Sequence, residues 1–287
     1  MNKRPIHLAI LGDLHFADYT NPDLEACRDR VFEDWFRQIA DLNPDLVVAV
    51  GDTTNWGMPT ELTALQTIVS QSGLPFLAIA GNHDCYTLSK AELAPFFLGE
   101  YSAVVADELY CCVDREDLRF IFLDTAKPRE AKDYGGWLTE TQGQWLREQI
   151  ADYNQRPDLQ QLLVFGHHPL KETTTRTEEL KLHIENSDFV LRMLETLERP
   201  KGYYFCGHNH QHSLVDRNGW CYVQSAAPWD CLSFRWVTID SDQVSIETHH
   251  FQWKDEHCKQ DWQRAYQSVP HFSAKSWEFA NNLSVSS

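Results

Sequence analysis

The chain has no apolar stretch long enough to cross a membrane, which excludes an α-helical membrane protein. It has no CxxC spacing and no dense disulfide framework. Its eight cysteines (Cys27, Cys85, Cys111, Cys112, Cys206, Cys221, Cys231 and Cys258) are scattered over 287 residues and read as reduced, mostly buried thiols. Nor is there an excess of basic charge: at a net charge of −17 a nucleic-acid groove, which needs a basic stripe, is disfavoured. The basic start, Met1-Asn2-Lys3-Arg4, leads into a short apolar run interrupted by His7 that ends at Asp13, so it is expected to be a first strand, not a signal peptide. No internal repeat or low-complexity segment is evident, and the default compartment is cytoplasmic. With 43% hydrophobic residues the chain can bury a large core, and its α/β pattern favours one domain over two.

What the chain does have is a set of short polar segments, each following a glycine and an apolar run. They are Gly12-Asp13-Leu14-His15, Gly51-Asp52, Gly81-Asn82-His83-Asp84, Gly166-His167-His168-Pro169 and Gly207-His208-Asn209-His210. The runs before them (Ile6 to Leu11, Leu46 to Val50, Pro75 to Ala80, Leu162 to Phe165, Tyr203 to Cys206) have the length and continuity of strands buried on both faces. Polar side chains at the carboxyl ends of such strands build a site in the crevice there. Carboxylate, amide oxygen and imidazole suit manganese, iron, zinc or a mixed pair (Mn, Fe or Zn). The five segments themselves contain no cysteine, and only Cys85 and Cys206 adjoin them, which argues against a structural zinc knot. Asp13, His15, Asp52, Asn82, His167, His208 and His210 are too many ligands for one ion. Two ions about 3.5–4 Å apart sharing one carboxylate would use them all. Each segment alone has a plainer reading, a capped turn or surface histidines, but their order as a set is specific.

As that ordered set, the chain resembles the calcineurin-like metallophosphoesterase superfamily, whose pattern runs D-x-H, GD, GNH[DE], H-x-P or GH, then GHxH. The resemblance extends from Ile6 to about Phe251. Carried over by position, it implies a first metal held by Asp13, His15, Asp52 and His210 and a second held by Asp52, Asn82, His167 and His208, with Asp52 bridging. The H-x-P spacing selects His167 over His168. Among branches, the GNHD form, the His-His-Pro segment and the chain length are most similar to class III cyclic nucleotide phosphodiesterases. Thr53 departs from the apolar residue common after Gly-Asp, while Asn55 and Gly57 fit the usual continuation. The implied fold is α/β, a four-layer αββα sandwich of two mixed β-sheets flanked by helices.

The implied chemistry is hydrolysis of a small phosphate ester by in-line attack of a hydroxide bridging two metals. His83, beside ligand Asn82, is expected to act as general acid or phosphate donor, and Asp84 to orient it. A phosphodiesterase, on a cyclic nucleotide or another small diester, is the first reading; a phosphomonoesterase on the same site is the alternative. A non-catalytic scaffold is the third, disfavoured because every motif position is filled.

Helices are expected from Asn21-Pro22 to about Asp41 and from Pro59 to about Gln71. A Thr139 to Gln142 capping box is expected to open another. Hairpins are expected at Asn218-Gly219 and between Phe234 to Ile239 and Val244 to His250. Long connections at Cys85 to Tyr101, Thr125 to Leu138 and Lys171 to His183 are expected to shape the pocket. Lys171 and Arg129 are candidates to meet phosphate; Trp56, Tyr86 and Trp229 are candidates to stack a base. The domain is expected to span residues 1–251. Residues 252–287, with Trp253, Trp262 and Trp277, form an extension docking on the domain or on a second subunit as a homodimer, and 281–287 read as disordered.

Overall fold

The computed structural model describes residues 4–97, 104–105, 108–128, 132–240 and 243–269. In chain order the elements are β1 (Ile6–Leu11), α1 (Pro22–Asp41), β2 (Leu46–Ala49), α2 (Pro59–Ser72), β3 (Phe76–Ala78), α3 (Lys90–Leu93), β4 (Val104–Val105), β5 (Glu108–Leu109), β6 (Cys111–Arg115), β7 (Leu118–Phe122), α4 (Glu140–Gln155), β8 (Gln161–Phe165), α5 (Ser187–Leu194), β9 (Gly202–Cys206), β10 (Ser213–Arg217), β11 (Trp220–Gln224), α6 (Pro228–Cys231), β12 (Ser233–Ile239), β13 (Val244–His250) and α7 (Glu256–Tyr266).

Alternation along single strands explains the layering. In β1, Leu8 and Ile10 point into one apolar cluster while Ala9 and Leu11 point into another. The first cluster lies between two sheets, pairing Leu8, Ile10, Val48 and Val237 with Phe120, Leu163, Phe165 and Phe205. Outside it, α1, α2 and α7 cover one sheet through Phe32, Trp35, Leu65 and Trp262. On the far side α4 and α5 cover the other through Leu146, Ile150 and Val190. Helix, sheet, sheet, helix is the αββα sandwich.

One sheet runs β13-β12-β1-β2-β3 and the other β10-β11-β9-β8-β7-β6. The β1-β2-β3 and β7-β8-β9-β11 stretches are parallel, and the antiparallel strands lie at the edges. Parallel strands buried on both sides read as continuous apolar runs, which is why these were visible in the sequence. The β6–β7 hairpin was not anticipated; its turn places Glu116 at φ +56°.

The helix starts follow their caps. Asn21 accepts from the Asp23 N–H at 2.9 Å to open α1. Thr139 accepts from the Gln142 N–H at 3.2 Å, but Gln142 does not complete the expected box. Its amide reaches the Asp124 backbone at 2.9 Å on both N–H and C=O, tying α4 to the end of β7. The Asn218-Gly219 turn has φ of +49° and +77°, as a two-residue hairpin requires. Within the extension, α7 packs on α1: Arg30 grips Asp261 at 2.7 and 2.8 Å, and the Tyr19 hydroxyl donates to the Ala265 carbonyl at 2.9 Å. Trp277 and residues 281–287 lie outside the described residues. Among the described residues no helix is long and apolar enough to cross a membrane.

Candidate metal centre

All the motif segments leave strand ends on one edge of the sandwich, and the chain turns sharply there. His15, Asp52, His208 and His210 have φ of +43°, +48°, +70° and +54°, a region that side chains other than glycine rarely adopt. Strain of this kind costs on the order of 1–3 kcal/mol per residue and persists where surrounding structure enforces it. Backbone contacts do so: the His15 N–H donates to the Asp52 carbonyl at 2.8 Å, and the Gly207 N–H to the His167 carbonyl at 2.9 Å. Gly51 combines φ +90° with a neighbour so close that a Cβ would lie 2.4 Å from His167 Nδ1.

His167 and His208 form one half of the site. The His167 Nδ1–H donates to the Val50 carbonyl at 2.8 Å, so Nε2 faces inward, 3.3 Å from Asp52 Oδ2 and 3.2 Å from Asn82 Oδ1. The His208 Nε2–H donates to the Lys181 carbonyl at 2.9 Å, so Nδ1 faces inward, 3.2 Å from His167 Nε2. Asn82 is turned oxygen-inward because its Nδ2 donates to the Tyr86 hydroxyl at 2.9 Å.

The other half gathers Asp13, His15 and His210. Asp13 is fully buried and takes the His208 N–H on both oxygens, at 2.9 and 3.1 Å. The His210 Nδ1–H donates to Asp230 Oδ2 at 3.0 Å. Its Nε2 then stands 3.1 Å from His15 Nε2 and 3.8 Å from Asp13 Oδ1. Asp52 lies between the halves, with Oδ2 3.3 Å from His167 and 3.8 Å from His15.

This donor set fits metal ions. In both halves an outer hydrogen bond occupies one nitrogen of an imidazole and aims the other lone pair at a second lone pair or a carboxylate, as metal sites require. Opposed imidazole nitrogens at 3.1 and 3.2 Å are stable only with a proton or cation between them. The converging donors are nitrogen and oxygen, a set that could hold metal ions.

Without a cation, protons take that role. Burial would depress His167, but the Asp52 and Asp13 carboxylates raise it to about 9. His210 reaches about 9 in the same way, through Asp13 and Asp230. Burial and the neighbouring His167 hold His208 down to about 3. Burial raises Asp13 to about 6; Asp52, although equally buried, is held well below the usual carboxylate range by His167, His83 and His15.

His83 stands beside the cluster, its ring edge-on to His15 at 4.5 Å and its N–H on Asp52 Oδ1 at 2.8 Å. Burial lowers its pKa. The expectation that Asp84 orients it is corrected by the geometry. The His83 Nδ1–H donates to the Asn55 carbonyl at 2.7 Å. The Asp84 carboxylate turns away, accepting from the N–H groups of Thr53, Thr54 and Gly81 and from the Thr54 hydroxyl at 2.7–3.2 Å. Asp84 therefore braces the loop that carries Asp52.

His168 has both ring nitrogens engaged, by Thr125 Oγ1 at 2.8 Å and the Tyr134 carbonyl at 2.9 Å, and anchors the 125–138 connection. Trp229 is fully buried, its indole N–H on the Leu14 carbonyl at 2.7 Å, so it packs and stacks no base. Trp56 and Tyr86 stay half-buried at the rim with ring centres 6.1 Å apart. Lys171 is exposed; the cation its loop sets over the rim is Lys181, 5.4 Å above the Tyr134 ring. Arg129 lies outside the described residues. Sequence reasoning passed over Asp230, which no motif marks, and the role of Asn55, whose position in the Gly-Asp continuation was its signal.

The sequence profile described as calcineurin-like phosphoesterase matches residues 6–212. A glycerophosphodiester phosphodiesterase of Enterobacter lignolyticus is 30% identical over 175 residues, 60% of this chain and 58% of that protein. The match thus spans less than two thirds of that relative. A probable cyclic nucleotide phosphodiesterase of Psychrobacter arcticus is 27% identical over 80% of this chain and 82% of its own. In shape, the chain is similar to a dimetal phosphatase from Danio rerio, with TM-score 0.68 at 16% identity over 86% of this chain and 99% of that one.

Proposed function

The chain belongs to the calcineurin-like phosphoesterase family, and we propose that it is a dinuclear-metal phosphodiesterase acting on a small diester. The observation that carries this reading is the convergence of inward-facing donors from His167, His208 and Asn82 on one side of Asp52, and from Asp13, His15 and His210 on the other. Their nitrogen and oxygen character favours Mn, Fe or Zn. When bound, two adjacent cations supply a nucleophile from water at neutral pH and neutralise charge on the phosphoryl oxygens.

The chain's own residues do the rest. Asn55 fixes the proton of His83 on Nδ1, leaving Nε2 to carry a second proton and pass it to the departing ester oxygen as the P–O bond breaks. Asp52 holds the His83 backbone and so sets the ring against the cluster. The rim aromatics Trp56, Tyr86 and Tyr134 offer apolar area to the organic part of an ester. The phosphodiesterase names of relatives support a diester over a monoester. The acidic net charge weighs against nucleic acid, and eight unpaired cysteines suit a reducing cytoplasmic compartment.

The test is reconstitution of metal-free protein with Mn, Fe or Zn, followed by turnover of bis(p-nitrophenyl) phosphate and p-nitrophenyl phosphate. Diester turnover well above monoester turnover is expected. The reverse preference would make the protein a monoesterase, and bound metal without turnover of either would make it a scaffold.

A further inference from the structure

We propose that Tyr266 on α7 is a positioning residue for the metal ligand His210, acting through Asp230, so that metal binding in the Asp13/His15/His210 half depends on the hydrogen bond from the Tyr266 hydroxyl to the Asp230 carboxylate. The inference rests on the reading of His210 as a ligand.

The chain of contacts is short and buried. The Tyr266 hydroxyl donates to Asp230 Oδ1 at 2.8 Å, and Asp230 Oδ2 accepts from His210 Nδ1 at 3.0 Å. One carboxylate thus takes a proton donor on each oxygen and cannot swing without breaking one of the bonds. Asp230 and Tyr266 are both largely shielded from water, so no solvent donor replaces the phenol cheaply. The neighbouring residue ties the same unit to the opposite flank of the half-site. Trp229 donates to the carbonyl of Leu14, between Asp13 and His15, and its ring lies against Tyr266 with centres 6.3 Å apart. Tyr266 in turn stacks on Trp262 at 5.1 Å. The α6–α7 region therefore touches this half-site at Leu14 and at His210. Both Asp230 and Tyr266 lie beyond residue 212, where the family match ends.

A purely structural role is the competing account: Tyr266 is a core residue whose hydroxyl merely satisfies Asp230. The two accounts differ in what the hydroxyl controls, and cobalt(II) titration of metal-free full-length protein, read by visible absorption, separates them. His210→Ala should abolish one of two binding events. Asp230→Ala should weaken that same event by about 10- to 100-fold, the usual loss for an outer partner of a metal ligand. Tyr266→Phe, which keeps the ring and its stacking, should weaken it by about 3- to 10-fold, one link further out. In an Asp230→Ala background it should add nothing.

Tyr19→Phe is the control. It removes another α7 hydrogen bond, to the Ala265 carbonyl, without touching Asp230, and should leave both events at wild-type affinity. Wild-type cobalt affinity in Tyr266→Phe overturns the proposal, as does an equal loss in Tyr19→Phe, which would make the effect one of helix docking in general. If His210→Ala changes neither event, the metal-site reading itself fails and the inference with it.

Discussion

On one side of Asp52, His167 and His208 lean on main-chain carbonyls of Val50 and Lys181; on the other, His210 leans on the side chain of Asp230, which α7 holds in place. A main-chain carbonyl is neutral and cannot be removed by substitution; Val50 follows strand β2, while Lys181 belongs to the 171–183 connection. A carboxylate is charged, makes its histidine more basic, and is lost in one mutation. Access does not separate the halves: each has one partly exposed histidine, His208 or His210, and its other residues are buried. The lesson is that a symmetric-looking ligand list rests on unequal supports. Main-chain carbonyls secure one half, and a side chain held by a peripheral helix completes the other.

Removing what the halves share should give the largest effect. Asp52→Asn is expected to lose both ions and to cut turnover by more than about 100-fold, the upper end of what loss of an outer partner alone costs. Metal analysis showing both ions retained would contradict the bridging assignment. His83→Ala should leave both halves loaded while kcat falls by about 10²- to 10⁴-fold, the usual range for a general acid. Normal turnover by the metal-loaded variant would remove His83 from the reaction.

Two glycines each crowd a residue of one half, while also adjoining the shared Asp52 (Gly51) or His208 (Gly207) along the chain. Gly51→Ala forces a Cβ to within 2.4 Å of His167 Nδ1 at φ +90°, and should weaken binding on the His167 side and cost about 1–3 kcal/mol in backbone strain. Gly207→Ala would place a Cβ 2.6 Å from Asp13 Oδ2 and should weaken the other side. In metal titrations Gly51→Ala should fall hardest on the His167 event and Gly207→Ala on the Asp13 event, and wild-type binding in both variants would contradict the crowding read from these contacts. Tyr86→Phe takes away the acceptor that turns Asn82 oxygen-inward, and should lower affinity on the His167 side by about 10-fold.

The last effect is one of pH. In the metal-free protein His167 and His210 are held at about 9 against an ordinary 6.5, so folding binds protons in that interval. Their stabilisation is complete below pH 6.5 and is lost as pH rises toward 9. Bound metal replaces those protons, so the loaded protein should lack this slope. Urea midpoints at the two pH values, with and without chelator, provide the check, and equal slopes would refute it.

The supports that the sequence hid are those without a local signature. Continuous runs such as Leu46 to Val50 revealed the parallel strands because burial on both faces leaves no polar position to blur them. The residues of the cluster stood out because each lies in a short segment that glycine and an apolar run precede. Asp84 misled because adjacency along the chain was taken for contact. At a tight turn successive side chains diverge, and the nearby acceptor for His83 was the Asn55 carbonyl, which side-chain identity does not encode. Asp230 sits in a four-residue helix with no motif around it, and its partners lie 20 and 36 residues away in sequence, so only the folded chain brings them together. Gln142 was misread in the same way, as a local cap when its amide serves a distant strand end.

Anomalous scattering from crystals of the manganese- or zinc-loaded protein tests the central claim most directly. Two peaks flanking Asp52 are predicted, one bounded by Asn82, His167 and His208 and the other by Asp13, His15 and His210. A single peak, or density away from Asp52, would contradict the account.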